Sequence, residues 1–341
     1  MSNITVTMIV RDSEKTLERA LLSIKPLNPQ IVILDTGSKD NTMSIAKKYT
    51  NFVFEKTWVD DFSVARNETL QYVSNDWIMY LDSDEWLHDS APAKILSIVN
   101  QERPEFPFYS FELHQGPMRL PQVRLWHKSR GAKWYRPVHE LLLPNAPRGV
   151  KEDIVVYHES RPEELSSSKR NITILKKAMD EDPHDPLNHF YLSVEYNIVQ
   201  EYDKSVYHGL KFLVTDQNVM LGRKMYIKYV LAWTYAWKKQ EAKLAIKNCI
   251  EALAVNICIP EFWCVLGDVY LNLFRKIPQA RCFYRNAIHF GKYHPKGMWL
   301  RDLEKSSVYP EHMIKKCDVL ESSKISRTTH PEYFGPIIPK K

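Results

Sequence analysis

Glycine is scarce in this 341-residue chain, with only 10 residues. None falls in a Gly-x-Gly-x-x-Gly or Gly-x-x-x-x-Gly-Lys-Ser/Thr arrangement, which excludes a dinucleotide-binding turn and a P-loop. No Gly-x-Ser-x-Gly is present, so the nucleophile turn of an α/β-hydrolase is absent. The five cysteines all come late, at Cys249, Cys258, Cys264, Cys282 and Cys317. They form no Cys-x-x-Cys pair, no His-Glu-x-x-His occurs, and zinc hydrolase chemistry therefore lacks its ligands. An odd set without metal spacing reads as reduced thiols. No apolar run approaches the roughly 20 residues that span a bilayer. Met1 leads almost at once into the strand-like stretch Ile4–Val10, without the basic start and long apolar run of a signal peptide. The expectation is a soluble, cytoplasmic protein with no stable membrane insertion.

What is present is the composition of a globular protein, 44% apolar and 26% charged, and the length suggests two modest domains. The net charge of +6 is uneven. Residues 1–160 carry 19 Lys+Arg against 21 Asp+Glu, which leaves 28 against 20 for residues 161–341. A solvated helical surface explains such an excess, and so does a footprint for a polyanion.

The first hundred residues alternate apolar strands (Val6–Val10, Ile31–Leu34, Phe52–Phe54, Trp77–Leu81) with helix-spaced segments. Ser63 is read as the cap of a helix running to about Val73. This alternation predicts a parallel sheet covered on both faces, with ligands beyond the carboxyl ends of its strands. Asp12, Asp35 and Asp82 stand at three such ends. From Phe106 to His158 the sequence is β-prone and aromatic, with strands expected at Phe108–Leu113, Gln122–Trp126 and Ile154–Tyr157. After Lys169 it is helical and repetitive: Leu192-Ser193-x-x-Tyr196, Leu231-Ala232-x-x-Tyr235 and Leu266-Gly267-x-x-Tyr270 share a large–small–large pattern, the third resembling the opening of a tetratricopeptide repeat. The small residue lets a partner helix approach. The expected division is an α/β domain over residues 1–160, an all-α helical repeat domain over 161–321 and a loosely ordered tail over 322–341.

Three constellations carry chemistry. In Tyr80-Leu81-Asp82-Ser83-Asp84-Glu85 a strand ends in two carboxylates at i and i+2, on one side of the chain. Such a pair suits Mg²⁺ or Mn²⁺ carrying a diphosphate; a solvated acidic loop is the bland alternative. Asp35-Thr36-Gly37-Ser38 places a carboxylate before a glycine turn, where it can bond a ribose or base, or simply brace the turn. In Asp61-Phe62-Ser63-x-Ala65-Arg66-Asn67, Arg66 is placed in a first helical turn, where a guanidinium can meet phosphate beside free N–H groups; a surface arginine is more often simply an ion-pair partner.

Together with Thr7-Met8-Ile9-Val10-Arg11-Asp12 and Trp134-x-x-x-Val138-His139-Glu140, these motifs resemble family 2 glycosyltransferases of the GT-A fold, in the subgroup with a tetratricopeptide tail that includes bacterial peptide S-glycosyltransferases. The resemblance covers about nine-tenths of the chain. It implies a GT-A nucleotide-sugar domain with a mostly parallel sheet, followed by a tetratricopeptide-like helical domain. It also implies nucleoside contacts from Asp12 and Asp35, a diphosphate and metal site at Asp82 and Asp84, completion of that site by His158, and a UDP-sugar as donor; a satisfied strand-end histidine is the alternative for His158.

Transfer with inversion requires a base to deprotonate the acceptor. Glu140 is the first choice and His139 the second; a structural role in orienting the acceptor loop is the alternative for both. For the acceptor, the helical half interleaves basic and aromatic residues: Lys224, Tyr226, Lys228, Tyr229, Trp233, Tyr235, Trp237, Lys238, Lys239, Arg281, Tyr284 and Arg285. About half of the aromatics belong in the core of such repeats. The remainder suits DNA, such as hydroxymethylated DNA, while the resemblance points to a peptide or protein side chain; a lipid-linked or polysaccharide acceptor ranks third. A homodimer is compatible with the sequence. A non-catalytic scaffold with a vestigial GT-A domain is the competing reading, opposed by the intact Asp82, Asp84, Arg66 and His158.

Overall fold

The computed structural model of the chain describes residues 2–116, 118–144, 147–159, 164–215, 221–293 and 303–322. The chain divides into two compact units, Met1–Val199 and Gln200–Lys341. The expected tail after Ser322 lies outside the described residues.

In the first unit, apolar strands alternate with helices as the periodicity predicts: β1 (Ile4–Val10), α1 (Leu17–Ile24), β2 (Gln30–Asp35), α2 (Thr42–Ala46), β3 (Phe52–Glu55), α3 (Phe62–Thr69), β4 (Trp77–Tyr80), β5 (Glu85–Leu87) and α4 (Ala91–Val99). Next come β6 (Phe108–Gln115), β7 (Met118–His127), β8 (Lys133–Tyr135), β9 (Leu141–Leu143) and β10 (Arg148–His158), then α5 (Glu164–Glu181) and α6 (Pro186–Ile198). One eight-stranded sheet runs β3-β2-β1-β4-β7-β6-β10-β5, and β8 and β9 form a separate antiparallel pair. Neighbours are parallel from β3 to β4 and between β6 and β10, and antiparallel at β4–β7, β7–β6 and β10–β5. Residues of β1, β2 and β4 are buried almost without alternation, because helices cover both faces of this central part. Its core joins Val6, Met8 and Ile33 to Leu17 and Leu21 of α1 and Ile95 of α4.

The parallel arrangement sets the site. Val10 stands beside Asp35, and Thr7 beside Tyr80, so the chain leaves β1, β2 and β4 at one edge with Asp12, Asp35 and Asp82 just beyond or at the strand ends. Helices α5 and α6, which the sequence pattern groups with the repeats, fall in this first unit.

The second unit is helical: α7 (Tyr202–Thr215), α8 (Leu221–Trp237), α9 (Ala242–Leu253), α10 (Pro260–Asp268, continued by a π-helical turn over Val269–Leu273), α11 (Ile277–Gly291), α12 (Leu303–Ser306) and α13 (Val308–Ser322). Helices pack on sequence neighbours, α7 on α8, α8 on α9 and α10 on α11, and α11 also packs on α13. The small residues of the repeat pattern, Ser193, Ala232 and Gly267, are all buried. Gly267 shows why: a Cβ there would lie 2.5 Å from Cε1 of Tyr284 on α11. That ring cannot retreat, since it is fully buried and its hydroxyl donates to Asp268 at 2.7 Å. Tyr309 donates to the same oxygen at 2.6 Å, and burial pushes the Asp268 carboxyl up to about 6. Gly267→Ala is therefore expected to destabilise the protein by about 1–3 kcal/mol through overpacking; urea unfolding measures it, and unchanged stability would contradict the helix-approach account. Among the described residues no helix is long and apolar enough to cross a membrane.

Candidate active site

At the ends of β1 and β2 the loops are held by side chain to backbone bonds. Asp35 is buried, and its Oδ1 accepts from the N–H groups of Gly37 (2.7 Å) and Ser38 (2.8 Å). Gly37 has φ +109, a conformation that favours glycine. The other carboxylate oxygen, Asp35 Oδ2, is buried with no partner. Asp12, itself at φ +46, accepts from the N–H of Lys39 at 2.7 Å and so ties the β1 loop to the β2 loop. Asp40 accepts from the N–H groups of Thr42 (2.9 Å) and Glu14 (3.0 Å), which reinforces the same junction.

After β4, the Asp82–Glu85 turn is anchored from below. Leu81 N–H donates to Thr7 at 3.2 Å, and Ser83 Oγ lies 2.8 Å from Ser13 Oγ. The Asp82 N–H donates to Glu85 Oε2 at 3.0 Å. Glu85 is buried and meets Arg124 of β7 through two contacts, at 2.5 and 2.6 Å. Burial raises the Glu85 carboxyl while Arg124 opposes that rise. Beside the pair, the Arg124 guanidinium lies 4.4 Å from the centre of the Tyr80 ring, whose hydroxyl burial pushes up to about 12. Glu85 also opens β5, which pairs antiparallel with β10 so that His158 stands opposite Glu85. The pairing brings His158 Nε2 to 3.3 Å from Asp84 Oδ2. The hydrogen bond with Asp84 raises the imidazole above its ordinary value, against burial.

Arg66 is the hub. The short helix α3 is capped by Asp61, which accepts from Val64 N–H at 3.0 Å. Asp61 has the extended backbone that a cap requires, and it accepts from Ser63 Oγ at 2.7 Å. The cap is therefore Asp61 and not Ser63; the α-helix ends at Thr69 and a 3-10 turn carries it on through Leu70–Tyr72, so Arg66 lies in the last α-helical turn and not the first. From there Nη2 donates to Asp82 Oδ1 and Nε to Glu140 Oε1, each at 2.9 Å. The guanidinium is 4.8 Å from the Tyr80 ring centre and 5.1 Å from that of Trp134. Burial works against its charge, and the two carboxylates more than offset this and hold it protonated. Asn67, next on the helix, bonds both the N–H (2.9 Å) and the C=O (2.8 Å) of Trp134, which fixes β8 beside α3.

Asp82, Arg66 and Glu140 are thus joined, and Asp84 and His158 are paired. His139 and Glu140 diverge: Glu140 meets Arg66, whereas His139 Nε2 meets Glu195 of α6 at 2.8 Å. No set of three His, Cys, Asp or Glu side chains converges as a metal cage among the described residues. Asp84 and His158 set one carboxylate beside one imidazole, while Asp82 turns one oxygen to Arg66. So few protein groups would suit only a hard cation that keeps waters and phosphate oxygens as its other ligands. Asn67 stands in the Arg66 motif but receives no role there, and Arg124 and Glu195 have no place in the sequence reading. A single arginine between Val123 and Leu125-Trp126 in an apolar strand is the available signal for Arg124; Glu195 leaves none.

Part of the basic and aromatic set of the helical unit serves that unit itself. Lys228 pairs with Glu251 at 2.5 Å, Lys239 with Asp203, and Arg281 with Asp318 (3.0 Å) and Glu321 (2.5 Å). Tyr235 and Tyr284 are buried.

Residues 5–152 match the family described as Glycosyl transferase family 2, and this stretch is a domain of that family. A TPR repeat-containing protein of Synechococcus elongatus is 35% identical over 144 residues, covering 42% of this chain and 36% of its own. The SPbeta prophage-derived glycosyltransferase SunS of Bacillus subtilis is 25% identical over 221 residues, 60% of this chain and 51% of its own. The chain thus spans about a third to a half of the length of these curated relatives. Among solved structures, S. aureus TarS 1–349 in complex with UDP-GlcNAc is similar over 73% of this chain and 89% of that one, at 13% identity and a TM-score of 0.41.

Proposed function

We propose that this glycosyl transferase family 2 domain moves a sugar from a nucleotide sugar, a UDP-sugar, to a nucleophile on a macromolecular acceptor in a single in-line displacement with inversion. The observation that carries the reading is Asp35: one oxygen is fixed by two backbone N–H groups, while the other is buried and unsatisfied at the carboxyl edge of the sheet. Leaving a buried carboxylate oxygen unpaired is costly, and a base N–H or ribose hydroxyl would satisfy it. Asp12, at the adjoining loop, adds a second nucleoside contact.

Asp84 and His158, with Asp82, would hold Mn²⁺ or Mg²⁺, which supplies charge neutralisation to the leaving diphosphate when bound. Arg66 links the two ends of the site, since one guanidinium face holds Asp82 and another holds Glu140. As the acceptor's oxygen or sulfur forms its bond to the anomeric carbon, its proton passes to Glu140, with His139 the second choice. The bond from that carbon to the diphosphate breaks, and the electron pair leaves with the diphosphate.

A peptide or protein acceptor is favoured over hydroxymethylated DNA, because Lys228, Lys239 and Arg281 are engaged in ion pairs and are less available to phosphates. Mass spectrometry of peptide and DNA acceptors after incubation with UDP-sugars distinguishes the two, and transfer to DNA that falls steeply with salt would favour the nucleic acid.

Asp35→Asn tests the donor end. Its amide oxygen can still accept from Gly37 and Ser38, so the loop persists, but the charge is lost. Affinity for UDP is expected to fall by roughly 10- to 100-fold, as for loss of a hydrogen bond to a charged group. Isothermal titration measures it, and unaltered UDP affinity would sink the nucleoside role of Asp35.

A further inference from the structure

We infer that helices α5 and α6 belong to the transfer site, with Glu195 acting through His139 to set Glu140 against Arg66. The inference rests on the proposed sugar transfer and adds a positioning residue to it. The turn that carries Glu140 is strained: Arg136 has φ +80 and His139 φ +54, left-handed conformations that residues with a Cβ rarely adopt. Such conformations persist where the surroundings over-determine them, and they cluster at functional sites.

Both residues are locked to α6. Arg136 donates through Nη1 to Asp185, the N-cap of that helix, and through Nη2 to Asn188 Oδ1 at 2.7 Å. The His139 ring stacks on Tyr191, with centres 4.2 Å apart and planes 9° from parallel, and the Arg136 guanidinium lies 5.5 Å from the same tyrosine ring. His139 Nε2 is 2.8 Å from Glu195 Oε1, and Asn171 Nδ2 of α5 donates to that oxygen at 2.8 Å. An ionised carboxylate only accepts, so the proton on the imidazole sits at Nε2. Burial works against this carboxylate's charge, yet hydrogen bonds from His139, Ser168 and Asn171 hold it below its usual range.

Packing a loop on two helices does not require a buried charge. Leu or Met at position 195 would fill the space without the desolvation cost of a carboxylate. What the carboxylate adds is direction: it fixes the imidazole, the imidazole fixes the backbone at 139, and residue 140 follows. Glu140 then reaches Arg66 at 2.9 Å, and Arg66 reaches Asp82 at 2.9 Å. A continuous path therefore runs from α6 to the leaving-group carboxylate.

The test uses the full chain with a UDP-sugar, comparing Glu195→Leu, Glu195→Gln and, as a control on the same helix, the exposed Ile198→Ala. Misplacing the base by about 1 Å costs about 100-fold in turnover, so kcat of E195L is expected to fall about 100-fold with donor KM and UDP affinity unchanged. E195Q retains an acceptor oxygen for Asn171 and His139 and is expected to recover roughly tenfold of that loss. I198A should match the parent. If E195L is too unstable to assay, the kcat of E195Q at unchanged UDP affinity decides. Parental kcat in E195Q and E195L, or a parallel loss of kcat and UDP affinity in both, overturns the positioning role. A parent chain that turns over no donor overturns the sugar-transfer reading instead.

Discussion

Asp84→Asn is expected to lower metal-supported sugar transfer by about 1,000-fold, equivalent to about 4 kcal/mol of transition-state stabilisation, with no loss of fold. Asp84 stands at a turn whose geometry is set by other groups: Ser83 on Ser13, the Asp82 N–H on Glu85, and the Glu159 N–H on the Asp84 carbonyl at 3.1 Å. The amide preserves shape and removes the charge that would hold a divalent cation opposite His158. The effect should appear in kcat across a Mn²⁺ titration, while UDP affinity measured without metal stays near the parental value because Asp35 and Asp12 are untouched. Full metal-dependent turnover by D84N would remove Asp84 from the site.

The second large effect is on stability. Arg124→Met leaves Glu85 buried without its guanidinium, and breaking a buried pair on one side costs about 3–5 kcal/mol. The double variant Glu85→Gln with Arg124→Met removes the orphaned charge and should recover most of that loss, so the two single changes will be strongly non-additive in denaturant unfolding. Activity should not recover with stability. Glu85 Oε2 also receives the Asp82 N–H, and in the double variant the amide oxygen left to accept it has lost the two contacts with Arg124 that hold it beneath the turn of Asp82 and Asp84. Additive stability changes, or a double variant with parental turnover, would show that the pair is not the base on which this turn is built.

Much of this was legible in the sequence because it is written in local periodicity. The apolar runs of β1, β2 and β4 identified central parallel strands, and an aspartate ends each strand or follows it within two residues. The large–small–large pattern around Gly267 predicted a close helix approach that Tyr284 makes. Other features lie in pairings that no local pattern records. Strand β5 is three residues long, too short for a periodic signal, yet it brings His158 to Asp84 across 74 positions. The partner of His139 is 56 positions away on α6, in a segment that reads as a helical repeat. The helix cap differs from the expected Ser63 for a local reason: Asp61 and Ser63 are both good caps, and only the extended backbone at Asp61 decides between them. The sequence offers Glu140 as a base but not its partner, because nothing near Arg66 in the sequence indicates that it spans Asp82 and Glu140.

The most direct test of sugar transfer by this domain is UDP release from a panel of UDP-sugars by the intact chain with Mn²⁺ present, followed with and without peptide acceptors. The account predicts release that depends on one sugar and on Mn²⁺, rises when an acceptor is supplied, and is lost in D84N and weakened in Asp35→Asn at low donor concentration. No UDP release from any donor, with UDP failing to bind the parent chain, would contradict it and leave the domain as a scaffold.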